Sequence, residues 1–212
     1  MEIRFNISRV AVAAILSIGL ATVSSCSSEC KNDNNTEVMN DNAVYENILT
    51  RSSVRSYTDE AVPDSLVNKM LRAGMAAPTA RDNRPWEFFV VTNPDIKNKV
   101  AETSKNAGMA AKAPLLIVVC GNMDKEPEGV GGEYWIQDCS AATENILLAA
   151  HSFGLGAVWC GVYPIQERVE SVREILDIPV NMIPLNVICI GYPDGETSPK
   201  DKWNPECVRY IR

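Results

Sequence analysis

The sequence predicts an α+β fold, with hydrophobic strands gathered in one sheet and helices on both of its faces. Two runs, "PLLIVVCGN" and "IPLNVICIGYP", are apolar almost without a break, as strands buried on both faces are. Between them lie segments whose apolar residues recur at helical spacing. The 212 residues are 46% hydrophobic and 22% charged, the balance of a folded globular protein. That length suffices for one domain with a full core, together with a leader.

Each element follows in chain order. "AVYENILT" reads as a short helix. Pro63 then opens "PDSLVNKMLRAGMAA", where Leu66, Val67, Met70, Leu71 and Met75 keep helical spacing until Pro78 stops it. "WEFFVVT" is aromatic and β-branched without a breaker, hence a strand. Asn93 and Pro94 form an N-cap and first-turn pair for one or two helices in "NPDIKNKVAETSKNAGMAAKA". The strand "PLLIVVCGN" follows.

The longest helix is expected in "GGEYWIQDCSAATENILLAAHSFGLG". Trp135, Cys139, Ala142, Ile146, Ala149 and Phe153 form one stripe, with Ile136, Thr143, Leu147 and Ala150 beside it. Two stripes predict burial between the sheet and a further surface, for which a second subunit is the economical candidate. "GAVWCGVY" is a strand, "PIQERVESVREILDI" an exposed amphipathic helix, and "IPLNVICIGYP" the last strand. The prolines of "TSPKDKWNPECVRYIR" make the C-terminus an extended tail.

Composition removes several functions. A net charge of -7 lacks the basic footprint of a general nucleic-acid binder. The seven cysteines, at 26, 30, 120, 139, 160, 189 and 207, form no C-x-x-C, and His151 is the one histidine, so no metal site is expected. Cys120, Cys139, Cys160 and Cys189 lie in apolar segments as small core residues. Cys30 and Cys207 are open to oxidation if the chain is exported, with no pairing implied.

The N-terminus bears on that condition. "MEIRFNISR" carries Arg4 and Arg9, and "VAVAAILSIGLATV" is an apolar run too short for a comfortable span but suited to a signal peptide. "VSSC" then resembles the lipobox of bacterial lipoproteins, which would leave Cys26 as a lipidated first residue. A short helix packed on the domain, or an unusual cytoplasmic N-terminus, is the other reading. The expected division is a signal peptide over 1–25, a polar tether over 26–42 and the folded domain over 43–212, with location in the periplasm or outer membrane.

No G-x-S-x-G, P-loop or dinucleotide fingerprint is present, and the glycines at 154, 156 and 161 have the wrong spacing. No acid–base pair stands out. An enzyme without catalytic side chains takes its chemistry from a cofactor. "ILTRSSVRSYTDE" sets Arg51 and Arg55 four apart around Ser52 and Ser53. This is either two solvated arginines or a cradle for a phosphate dianion.

Taken in order, "RSSVRSY", "APTARDNRPWEFFVV", "WIQDCSAATENILLAAHSFGLGAVWCGVYP", "VICIGYP" and "PKDKW" resemble the nitroreductase family of FMN-dependent oxidoreductases, from about residue 44 to the C-terminus. The resemblance implies a central, mostly antiparallel sheet, an extended C-terminal arm, and a homodimer with two FMN sites at the subunit interface, each built from both chains. It carries the phosphate and pyrimidine contacts to Arg51, Ser53 and Arg55, with Ser52 reduced to a backbone contact, and adds Lys200 and Lys202 from the tail. Pro78, Thr79 and Ala80 correspond to the segment beside the flavin of the other subunit, with Asn83 as its polar anchor. Arg84 stands where the family often has glutamine. Asn106 falls near a position that reaches the ring. Trp159, Cys160 and Gly161 correspond to the strand passing the ring, where the N–H of Cys160 or Gly161 would face flavin N5.

Packing readings stand beside these. Trp86 and Trp159 read equally as core or wall residues, His151 as a helix-end packing residue, and Cys160 as packing for want of a second cysteine nearby in sequence. Glu144 and Asn145 need partners, such as the backbone of a dimer mate. The implied activity is hydride transfer from NAD(P)H to a nitroaromatic, quinone or similar electron-poor acceptor by a ping-pong cycle. The alternative is an exported flavin-binding protein with another electron donor or no turnover, since free NAD(P)H belongs to the cytosol.

Overall fold

Strand β2 (Leu115–Asn122) is buried along its whole length, and its alternating side chains supply both cores of the protein. Leu115, Ile117 and Val119 face one core; Leu116, Val118 and Cys120 face the other. The continuous apolar run is therefore the ordinary period-two pattern of a strand with no solvent face. The structure is a computed structural model and describes residues 42–126 and 132–212.

Around β2 stand β1 (Trp86–Val91), β3 (Gly156–Gly161) and β4 (Met182–Gly191), in the order β1-β2-β4-β3 with every pairing antiparallel. A register shift between Val119 and Cys120 interrupts the β2–β4 ladder. On the first face lie α2 (Asp64–Met75) and α4 (Tyr134–Ser152), packed on each other and on the sheet. On the second lie α3 (Pro94–Glu102) and α5 (Gln166–Leu176). The expected sheet with helices on both faces is what the chain forms.

Local chemistry sets the helix ends and contacts. Asn93 caps α3 by accepting the N–H groups of Asp95 and Ile96 at 2.9 and 3.2 Å, with Pro94 in the first turn. Gly74 lets α2 approach α4, since a Cβ there would lie 2.9 Å from Ile146. In α4 the first stripe is buried at Trp135, Cys139, Ala142 and Ile146, and only half covered at Ala149 and Phe153. Glu144 and Gln137 face solvent, while the second stripe is buried at Thr143, Leu147 and Ala150 and half-buried at Ile136. Its polar residues find partners in their own chain: Asn145 Nδ2 donates to the Ala73 carbonyl at 3.0 Å, and Glu144 pairs with Arg51.

Helix α1 (Ala43–Thr50) crosses the end of α4, with Asn47 Nδ2 donating to the Leu148 carbonyl at 3.1 Å. It buries none of its own residues. After β4 the chain has no regular element except a turn at Pro205–Cys207, and the tail is exposed nearly throughout. Among the described residues no helix is long and apolar enough to cross a membrane. The segments read as signal peptide and tether, with Cys26 and Cys30, lie outside the described residues except for Asn42, which precedes α1.

Candidate functional site

The segment after α1 is fastened along the outer edge of β3, and this aims its arginines. Ser53 bridges Ala157 in parallel, and Val54 N–H donates to the Ala157 carbonyl at 3.1 Å. Three residues on, Tyr57 is buried and bridges Pro193, its hydroxyl donating to the carbonyls of Val54 and Cys189 at 2.6 and 3.0 Å. Burial pushes the Tyr57 phenol well up, so it stays a neutral donor. Val54 lies flat on Gly156, where a Cβ would come within 2.6 Å of its side chain. Ordered backbone here is what turns two arginines four apart into a fixed pair.

Two clefts open beside this segment. The first, of about 560 Å³, is lined by Arg51, Ser52, Ser53, Arg55, Lys200 and Lys202 among others. Four cations from opposite ends of the chain thus meet there, against Asp194 and Glu196. The second, of about 580 Å³, is lined by Asn106, Trp159, Cys160 and Gly161, with Lys105 and Arg168 as cations and no carboxylate. Arg55 lines both. Both volumes fall in the range of small-molecule sites.

Ten of the fourteen residues assigned from sequence line these clefts. The other four do not. Pro78, Thr79, Ala80 and Asn83 belong to a turn on the first face of the sheet, held by Asp138, whose carboxylate accepts the Ala80 N–H at 3.1 Å. Burial pushes the Asp138 carboxyl up, and the Ala80 bond opposes this. Arg81, Asp82 and Arg84 have positive φ in this turn, and Arg84 pairs with Asp82. Asn83 Nδ2 is covered by its own chain and has no hydrogen-bond partner among the described residues.

The electrostatics of the first cleft already engage one cation. Arg51 Nε lies 3.5 Å from Glu144 Oε1. Beside it His151 Nε2 meets Thr50 Oγ1 at 2.9 Å, while burial and then the charge of Arg51 hold the imidazole below its usual value. This contact ties α1 to α4. Trp159 is partly exposed at the rim of the second cleft, whereas Trp86 is core.

Sequence reading missed Lys105, Arg168 and Cys189. Arg168 sits on α5, taken as a solvated helix, and donates to the Gly161 carbonyl at 3.3 Å. No signal in the sequence brings α5 to Asn106; only the folded sheet does. Cys189 lies diagonally across the β3–β4 ladder from Cys160.

A model of the nitroreductase family matches residues 48–108 and 102–192. The chain belongs to the nitroreductase family. A Methanothermobacter thermautotrophicus protein named an NADH dehydrogenase/NAD(P)H nitroreductase is 47% identical over 165 residues, 78% of this chain and 85% of that one. A crystal structure of a protein so named from Parabacteroides distasonis is 46% identical, covers 79% of this chain and 96% of its own, and superposes with a TM-score of 0.75. An FMN-dependent nitroreductase from Clostridium difficile, 27% identical, covers 79% and 99% with a TM-score of 0.73. These nitroreductase-fold neighbours match the α+β expectation.

The comparisons also correct one expectation. Export with lipid anchoring through Cys26 is overturned, because the relatives are named for NAD(P)H, a donor kept in the cytosol. The nitroreductase match begins at residue 48 and ends at residue 192, so Lys200 and Lys202 stand beyond it.

Proposed function

We propose that this nitroreductase-family chain is an FMN-dependent NAD(P)H oxidoreductase whose cofactor spans the two clefts. The observation that carries the reading is the convergence of Arg51, Arg55, Lys200 and Lys202 on one cleft, in a chain of net charge -7. A phosphate monoester carries close to two negative charges and needs several cations to hold it. The residues present fit the group. The first cleft offers charge and the hydroxyls of Ser52 and Ser53 for a phosphate. The second offers a flat, mixed wall for a ring, from Trp159, Cys160 and Gly161 with Asn106 opposite.

Held there, FMN would supply the hydride chemistry, at its N5, between NAD(P)H and a nitroaromatic, quinone or similar electron-poor acceptor in a ping-pong cycle. The chain's own part is placement. Arg51 and Arg55 neutralise the phosphate, and Arg55, lining both clefts, fixes the spacing between phosphate and ring. The backbone N–H of Cys160 or Gly161, at the end of an edge strand, supplies a donor toward the ring without any side chain taking part. No residue serves as an essential acid; protons come from solvent.

The flavin-binding unit is residues 43–212, and it works as a homodimer. Two exposed apolar surfaces support this. Helix α1 leaves Val44 75% exposed with Tyr45, Ile48 and Leu49 beside it, and the tail leaves Trp203 72% and Ile211 98% exposed. Surfaces of that kind are interface, not solvent face. In the dimer the turn bearing Pro78, Thr79 and Ala80 closes over the partner's ring, with Asn83 as its polar anchor.

Titration of the purified protein with FMN, followed by flavin fluorescence, tests the site. One FMN per chain is expected, and Arg51→Ala should weaken binding by about 1.5–3 kcal/mol, the scale of a charge-assisted bond. Unchanged affinity in that variant would mean the cradle lies elsewhere.

A further inference from the structure

Strands β3 and β4 bring together two cysteines that are 29 residues apart in sequence. Their register pairs Val158 with Cys189 and Cys160 with Val187, so the thiols are diagonal neighbours on the second face of the sheet. The sulfurs are 3.8 Å apart. Met109 Sδ lies 3.6 Å from Cys160 on another side. Cys160 is half-buried and lines the second cleft with Met109 and Arg55; Cys189 is fully buried beneath it.

We propose that this pair is an oxidation site for small hydroperoxides, with Cys160 as the attacking thiol and Cys189 as the resolving one. The two cysteines are unlike in the respects that matter. Cys160 borders the second cleft, through which a small hydroperoxide reaches it in the flavin-free chain, and Cys189 does not. The contact with the Cys189 thiol lowers the Cys160 thiol against the opposing effect of burial, with Arg55 adding to the lowering. Cys189 itself is pushed well up by that same bond and by burial. Of the two thiols Cys160 is therefore the one that ionises more readily, the order an attacking and resolving pair requires. Tyr57, the other titratable group against the pair, is held neutral by burial.

The remaining described cysteines lack one half of this arrangement. Cys120 and Cys139 are buried, with the Cys120 thiol pushed up to about 12, and Cys207 is exposed without a sulfur neighbour.

The chemistry balances. The Cys160 thiolate attacks one peroxide oxygen, the O–O bond breaks, and the departing alkoxide or hydroxide takes a proton from solvent. Cys160 is now a sulfenic acid. Cys189 sulfur then attacks that sulfur, the S–O bond breaks, and hydroxide leaves with the Cys189 proton as water. Two thiols and one hydroperoxide give a disulfide, an alcohol and water. The sulfurs must close from 3.8 Å to the ~2.04 Å of a disulfide. Strand β3 lies at the edge of the sheet, and the closure draws the two side chains together across its ladder with β4.

The test is peptide mapping of the full chain after limited hydrogen peroxide and quenching with an alkylating reagent. The expected product joins the Cys160 and Cys189 peptides with the loss of two hydrogens, while Cys120 and Cys139 remain alkylatable. In Cys189→Ser, or in Cys189→Ala should the serine disturb the core, Cys160 should stop at the sulfenic acid and be captured by dimedone. Cys160 left reduced at peroxide levels that oxidise Cys207 would overturn the proposal. So would Cys160 reaching the sulfinic acid in the wild-type chain with Cys189 still a free thiol.

Discussion

Arg51 has two claims on it, and this makes its surroundings informative. In the folded chain it faces Glu144 at 3.5 Å, a half-exposed pair of the kind worth at most about 1 kcal/mol. A phosphate in the first cleft competes for the same guanidinium. Glu144→Gln should therefore tighten FMN binding by less than about 1 kcal/mol, read in the same fluorescence titration, and weaker binding would mean the ion pair orients Arg51 for the ligand. His151 makes a second prediction. Its ordinary value is 6.5 and the fold lowers it, so below about pH 6.5 the unfolded chain binds the extra proton first. The stability present above that pH is lost as pH falls toward the depressed folded value. Urea unfolding between pH 5 and 7.5 should show this slope, and His151→Gln should flatten it. Both arginines and the lone histidine were visible as candidates in sequence. Their partners were not, because Glu144 and Thr50 reach them only through the crossing of α1 on α4.

Among the elements, the five α-helices and four strands of the described residues were legible from helical spacing, caps and apolar runs, β2 and β4 as unbroken apolar stretches, whereas the short turns at Ala80–Asp82 and Met123–Lys125 were not. Less legible was which way the long helix turns its second stripe. Thr143 and Asn186 explain part of it: Asn186 is fully buried on β4 and donates to Thr143 Oγ1 at 2.9 Å, a polar tie inside the first core. A polar residue within an apolar strand gives no hint of its partner 43 residues away. Thr143→Val keeps the shape and removes the acceptor, so it should cost about 1–3 kcal/mol in chemical denaturation by leaving that amide unpaired. Gly156→Ala should cost a similar ~1–3 kcal/mol by driving a Cβ into Val54, and should loosen FMN because Val54 holds the arginine segment in place.

For the whole molecule, the family motifs made the site legible in pieces, and the fold assembled ten of its residues into two adjoining clefts. The turn at Pro78–Asn83 stays apart from them within one chain, which is the arrangement a site shared between two copies would leave. Removal of residues 203–212 takes away the exposed Trp203, Tyr210 and Ile211, and should shift the protein toward monomer in sedimentation analysis and lower its FMN content. A truncated protein that remains dimeric and fully loaded would assign the interface to α1 alone. The central claim, that the two clefts hold a flavin which exchanges hydride with a nicotinamide, is tested most directly by anaerobic titration of the FMN-loaded protein. NADH or NADPH should bleach the visible flavin band, and one equivalent of a quinone should restore it. A protein that takes up no FMN, or whose flavin band neither nucleotide diminishes, would contradict the account.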